Sequence, residues 1–350
     1  MFRRSKKNLN KKLLVILLMV VVLSMLCVVN ASAARLRLKF SHQNNVYDAD
    51  QLLAETFKKL VEEGTNGEIK ITIYPGTLTT SEEEGMEFIR AGTVDIGLNS
   101  AGHIAGFYQD IQFLQLPYLF KSQEHYYVAR RSKVVEEILK GYEKATGLVA
   151  LGIYSDCNGF AIASTKPIYT FNDCKGIKLR CMQNPLFVDT YKAFGFTVTP
   201  TDWGELYTSL QTGLVDANDL GVYCQYVFKL KEVTKYFAIL NQMWTQKVFS
   251  MNRKTWNKLT PSQKEVVKMA AQEAVELTDQ FQYVREKIAI ERAKKDGFVI
   301  TYPDKAPFIR ASEKVYKIWF AKRPHWKKWY EEIQYLDPGK RTPAAGLPFK

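Results

Sequence analysis

The stretch Asp173-Cys174-Lys175-Gly176-Ile177-Lys178-Leu179-Arg180 decides how the rest of the chain is read. Ile177 and Leu179 alternate with Lys178 and Arg180, the period-2 pattern of a half-buried strand entered from a turn. A helix opens at Pro185 and runs from Leu186 to Phe194. Thr199-Pro200-Thr201-Asp202-Trp203 comes next, then a second helix from Glu205 to Thr212, then Gly213-Leu214-Val215-Asp216-Ala217-Asn218-Asp219. An arginine that ends a strand just ahead of a helix is well placed to meet an anion. Its planar guanidinium matches a carboxylate two hydrogen bonds at a time. On spacing alone, a surface arginine is the plainer reading.

Toward the start, Arg3, Arg4, Lys6, Lys7, Lys11 and Lys12 precede an apolar run from Leu13 to Val29 and the small residues Ala31-Ser32-Ala33. Residues 1–33 therefore read as a cleavable secretory signal peptide, with a retained membrane anchor as the alternative. Leu26 stands before Cys27, where a lipoprotein site needs a small residue. The whole chain of 350 residues carries a formal charge of +13; without the leader, 43 basic residues face 36 acidic ones, a net +7 over 317 residues. Charges of both signs are interspersed, which gives a solvated surface with a mild pull toward anions rather than a nucleic-acid footprint. This length buries a large core and implies two domains. Export permits disulfides. Cys157, Cys174, Cys181 and Cys224 allow three full pairings, and their spacing does not choose. None lies in a C-x-x-C motif, so zinc and thioredoxin-like readings have no support.

The exported chain opens as β-α-β-α-β, the grammar of a parallel sheet covered by helices. Leu36, Leu38 and Phe40 mark a strand, and Leu53, Phe57, Leu60 and Val61 one face of a helix from about Ala49. Ile69, Ile71 and Ile73 alternate as the next strand. Ser81 and Glu84 form a capping box for a helix to Arg90, and Val94 to Leu98 is a short strand. The polar loops at Ser41 to Asn45 and Asn99 to Gly102 come after strands, where open α/β sheets bind ligands. Gln43, Asn99 and Ser100 are therefore candidate walls of a site. Ser122 to Lys140 reads as a helix closed by Gly141, and Leu148 to Tyr154 as a strand. Thr260-Pro261 starts a helical segment to about Lys295 with an apolar stripe of Ala270, Ala274, Leu277, Phe281, Val284, Ile288 and Ala289. A helix that long exceeds one domain's diameter. Phe298 to Ile300 is a late strand, and Asp304 caps the helix after it. Trp326, Trp329, Tyr330 and Tyr335 in the tail pack against the body, a partner-docking surface being the alternative.

Gly176-Ile177-Lys178-Leu179-Arg180 and the gap-free run from Pro200-Thr201-Asp202-Trp203 to Gly213-Leu214-Val215-Asp216 resemble the signature region of the solute-binding proteins of TRAP (tripartite ATP-independent periplasmic) transporters, the dicarboxylate-binding-protein-like family. Tyr74-Pro75-Gly76, Ala91-Gly92-Thr93-Val94-Asp95-Ile96 and Leu116-Pro117-Tyr118-Leu119-Phe120 add to it, and the likeness covers roughly Leu36 to Ala321. The resemblance implies a two-domain α/β periplasmic binding protein (a Venus flytrap) with hinge strands and a long helix bracing both domains. Domain I would comprise 34–155 plus 246–283, domain II 156–245 plus 284–322, and the C-terminal tail 323–350, with Lys247 to Met251 as a strand returning to domain I. It further implies a periplasmic monomer without cofactor, metal or nucleic acid. That protein captures a small-molecule carboxylate by cleft closure and delivers it to TRAP permease subunits.

By the same resemblance Arg180 pairs with the ligand's carboxylate. Trp203 stacks on the ligand body, core packing being the alternative. Gln183 hydrogen-bonds the same acid, and Asp219 stands where the family usually has Glu. Two departures stand out. Many members carry a second arginine on the strand before residue 165, and here Phe160 falls near that position. The usual Asn-Pro is Leu220-Gly221. Both changes remove polar partners, so the expected ligand is a monocarboxylate with an apolar or aromatic body, lined by Phe160 and Tyr223, rather than a dicarboxylate or sugar acid.

Catalytic constellations are missing from the sequence: there is no G-x-S-x-G, S-x-x-K, H-E-x-x-H or G-x-G. His42, His103, His125 and His325 are scattered and do not read as a metal set. A secreted α/β hydrolase is accordingly the weaker alternative to binding. A ligand-sensing or ABC-importer subunit would share the fold and differ in its partners.

Overall fold

The computed structural model describes residues 36–79, 81–157 and 161–340. The signal-peptide reading of residues 1–33, Phe160, the Cys157 side chain and the last ten residues of the tail lie outside the described residues. Within them the strands are β1 (Leu36–His42), β2 (Ile69–Pro75), β3 (Ile96–Ser100), β4 (Val149–Cys157), β5 (Ala161–Ser164), β6 (Lys178–Cys181), β7 (Thr197–Pro200), β8 (Ala217–Asn218), β9 (Tyr236–Ile239), β10 (Thr245–Met251) and β11 (Val299–Thr301).

They form two sheets, ordered β2-β1-β3-β10-β4 and β11-β9-β5-β8-β6-β7. In the first, β1 runs parallel to β2 and β3, while β10 is antiparallel to β3 and β4. In the second, β6 runs parallel to β7 and β8, and β5 is antiparallel to β8 and β9. The chain passes from the first sheet to the second between β4 and β5, and returns between β9 and β10. Those passages are neighbours, because β4 and β10 pair along their length, with a register shift between Thr245 and Gln246. Two adjacent strands that leave one sheet for the other form a natural hinge.

The helix Pro261–Lys295 is continuous over 35 residues, about 50 Å at 1.5 Å per residue. Its first half buries Val267, Ala270, Ala271, Ala274 and Val275 in the core of the first sheet with Phe40, Phe57 and Phe249. Its last turns bury Ala289 and Ala293 against Phe237 of the second. Small residues at those positions let the helix lie close on both units. The apolar stripe holds at Ala270, Ala274 and Ala289 and fails between them: Leu277, Phe281, Val284 and Ile288 are exposed. Where the helix bridges the two cores, the buried face carries Thr278, Asp279 and Gln282 instead. Asp279 accepts from the Ser155 amide at 2.8 Å and pairs with Arg130 at 3.2 Å.

The helix expected from Ser122 to Lys140 is two helices, Gln123–Ala129 and Lys133–Thr146. Ser132 restarts the second by accepting from the Val135 amide, and Gly147, at φ 74°, closes it. Gly141 lies inside that second helix, because a Cβ there would sit 2.1 Å from the Tyr108 hydroxyl. The absence of a side chain serves a close approach, not a stop signal. Ser81 caps the helix Glu82–Ala91 by accepting from the Glu84 amide.

The tail helix His325–Tyr335 packs on the first unit. Trp326 and Trp329 set their edges against Phe113 at 5.7 and 5.4 Å, and Trp319 stacks on Trp326. Their indole N–H groups donate to Asp110 and Glu137. Cys174 and Cys181 are free and buried, and Cys224 is buried as well.

Candidate functional site

The carboxyl ends of the parallel strands in the two sheets face one another. From the second sheet, β6 delivers Arg180, the end of β7 delivers Thr201, and the residue after β8 is Asp219. The pairings Arg180 with Thr199 and with Asn218 fix this order. Arg180 is 3% exposed. Its Nε and Nη2 both donate to the Thr201 carbonyl, at 3.0 and 2.7 Å, which holds the guanidinium in one place. The Trp203 ring lies 5.9 Å from the guanidinium carbon, and Phe228 sets its edge against Trp203 at 4.8 Å. Burial pulls the Arg180 pKa down from its ordinary value, and the Asp219 charge opposes the shift.

From the first sheet, the end of β1 brings Gln43 and Asn44, the end of β3 brings Ser100 and then His103, and β10 brings Thr245 and Lys247. Lys247 is 2% exposed. Its Nζ lies 2.8 Å from Asp50 Oδ2 and 3.6 Å from Glu82 Oε1. Glu82 in turn accepts from the Ser100 amide and lies 3.3 Å from His103 Nδ1. Burial alone raises the Glu82 carboxyl, but Lys247 and His103 outweigh it and hold the group well below the usual carboxylate range. The same partnership lifts His103 against its own burial. Asp48, beside them, is raised by burial and by the neighbouring Asp50.

Most of these groups line one cavity between the two sheets, which opens to solvent. One wall is apolar: Met182, Trp203, Leu220, Cys224 and Phe228, with Arg180 and Asp219 set into it. The other is polar: Gln43, Asn44, Asp48, Glu82, Ser100, His103, Thr245 and Lys247.

Arg180, Trp203, Asp219, Gln43 and Ser100, all singled out in the sequence, come together here. Three others do not reach this cavity. Gln183 is exposed and lines a separate outer hollow with Asn184 and Trp319. Asn99 turns away, donating to the Glu82 carbonyl at 2.7 Å in a small space behind the wall. Tyr223 reaches across to the first unit, where its hydroxyl donates to the Tyr47 carbonyl at 2.6 Å beneath Arg285. Of the polar wall, sequence reasoning found Gln43 and Ser100 and missed the rest, Lys247 above all. The available signal was Lys247 as the one charged residue in Thr245-Gln246-Lys247-Val248-Phe249-Ser250-Met251.

A model of the family DctP, bacterial extracellular solute-binding protein, family 7, matches residues 40–323. The chain is 26% identical over 282 residues to the 2,3-diketo-L-gulonate-binding periplasmic protein YiaO of Escherichia coli, covering 80% of this chain and 86% of that one. The structure of a TRAP periplasmic solute-binding protein from a Sulfitobacter species with bound β-D-galacturonate superposes with a TM-score of 0.80 at 27% identity, covering 85% of this chain and 99% of that one. A second, from a Polaromonas species bound to D-erythronate, gives 0.81 at 27% identity over 87% and 99%. The chain belongs to the DctP family, the periplasmic, non-enzymatic solute-binding proteins of TRAP transporters.

Proposed function

We propose that the cavity takes a hydroxylated monocarboxylate, held by its carboxylate on Arg180, and that the two units close on it before delivery to TRAP permease subunits in the membrane. The observation that carries this reading is Arg180 itself, a buried cation at the strand ends that lines the cavity with two of its donors already fixed on Thr201. Each charge-assisted hydrogen bond to a carboxylate contributes about 1.5–3 kcal/mol, and micromolar affinity needs about 8 kcal/mol. Arg180 therefore supplies part, and contact with Trp203, Met182 and Phe228 supplies more.

The wall facing Arg180 speaks against the expectation of an apolar or aromatic body in preference to a sugar acid. Asp48, Ser100 and Thr245 offer hydrogen-bonding oxygens on that side, which suit hydroxyl groups at the far end of the acid. The sugar acids bound by the Sulfitobacter and Polaromonas proteins have that character. What supports the proposed division into domains, at 155/156, 245/246 and 283/284, is that the chain changes sheets after β4 and before β10 and that the long helix runs along both cores. Denaturing the purified protein and identifying the released acid by mass spectrometry tests the reading. A hydroxy acid supports it; release of a neutral sugar or an amine, with no stabilisation by any carboxylate in a thermal-shift panel, refutes it.

A further inference from the structure

Asp219 is 2% exposed, lines the cavity, and its Oδ2 has no hydrogen-bond partner among the described residues. A buried carboxylate oxygen facing a ligand cavity without a donor is costly unless the ligand or a proton completes it. Resting on the reading that Arg180 takes the ligand's carboxylate, we propose that Asp219 is its second anchor: Asp219 takes one proton from solvent as the acid binds, and donates it from Oδ2 to that carboxylate. Capture is then proton-linked.

The reason is electrostatic. In the empty cavity Asp219 draws on Arg180 for its countercharge. An arriving carboxylate competes for the same guanidinium, and two carboxylates close together in a dry site do not both ionise. The ligand is the stronger acid, because it takes Arg180 directly. Asp219 is then the group that yields. Burial already raises it to about 7, against the lowering effects of Arg180 and a hydrogen bond from Tyr191. Binding raises it further.

Other groups face this site. Arg180 and Cys181 lie on β6, Tyr191 on the helix Pro185–Ala193, Cys224 on Val222–Val227, and Asp202 beside Arg180. Asp48, Glu82, His103 and Lys247 stand across the cavity. Among them His103 also titrates upward of its ordinary value, so the pH profile of the wild type alone does not isolate Asp219.

A carboxyl whose pKa is higher in the complex gains a proton on binding, and only where the free protein has lost it. Uptake is therefore largest above pH 7 and disappears about one unit below it. Affinity falls by up to about tenfold per pH unit on the alkaline side.

The test is isothermal titration calorimetry with D-galacturonate and D-erythronate, and with the acid released from the denatured protein. Each titration is run at pH 6 and pH 8 in two buffers of different ionisation enthalpy. The wild type is expected to take up close to one proton at pH 8 and few at pH 6. Asp219→Asn, whose amide can donate to the carboxylate permanently, should bind with the uptake at pH 8 removed. Should that variant not fold, His103→Gln decides in its place: uptake at pH 8 that persists in it belongs to Asp219, and uptake lost in it overturns the proposal. Binding with no uptake at pH 8, or uptake unchanged in Asp219→Asn, overturns the proposal and leaves the carboxylate reading standing. If none of these acids binds, the carboxylate reading itself falls, and this inference with it.

Discussion

The Lys247 ammonium sits 2.8 Å from the Asp50 carboxylate, both buried, on the wall across the cavity from Arg180. Lys247 also neutralises Glu82 at 3.6 Å. Lys247→Met would leave two acids without their cation inside the first unit. Breaking a buried pair from one side costs about 3–5 kcal/mol. Urea denaturation of the empty protein at pH 7 should show that loss; a change below about 1 kcal/mol would mean the pair is solvated.

The fold of the first unit was legible because its strands and helices keep a clear period. Ile69, Ile71 and Ile73, or Leu53 and Phe57, can be buried in one way only. Arg180 was legible by resemblance, its spacing alone being ambiguous. Most of the polar wall was not, because its members come from the ends of three strands and the starts of several helices that are far apart in sequence. Lys247 and Asp50 are separated by 197 positions, and no local pattern joins them. Gly141 misled for a related reason: its partner, Tyr108, lies on another element.

A Cβ at residue 141 would lie 2.5 Å from Tyr108 Cζ as well as 2.1 Å from its hydroxyl, so the ring must swing away. Helix propensity favours alanine by about 1 kcal/mol, whereas overpacking costs about 1–3 kcal/mol. Gly141→Ala should therefore lower the melting temperature. An increase would show that Tyr108 moves freely.

The Tyr47 carbonyl accepts from both Tyr223 and Arg285, each at 2.6 Å, and so ties the first unit to the second. Removing one such bond costs about 1 kcal/mol. If it is made only with the cleft shut, Tyr223→Phe should speed ligand release about fivefold with little change in association. Stopped-flow recording of tryptophan fluorescence reads both rates. Equal release rates would place Tyr47 and Tyr223 outside the closure.

Burial lifts Asp279 to about 7, with Arg130 opposing. For a carboxyl, a folded pKa above the unfolded one means the unfolded chain loses its proton first. Stability should fall as pH rises from about 4 to 7, at up to about 1.4 kcal/mol per unit, and the Asp279 contribution is flat outside that window. The difference between denaturation curves of the wild type and Asp279→Asn, taken at each pH, isolates it. A difference that does not vary with pH would contradict the assignment.

The central claim is that one guanidinium holds the ligand's acid group. Two lost charge-assisted bonds amount to about 3–6 kcal/mol, a hundredfold or more in affinity. Calorimetric titration of Arg180→Ala with the acid released from the wild-type protein should show that loss, with circular dichroism unchanged. An affinity within twofold of the wild type would contradict the account.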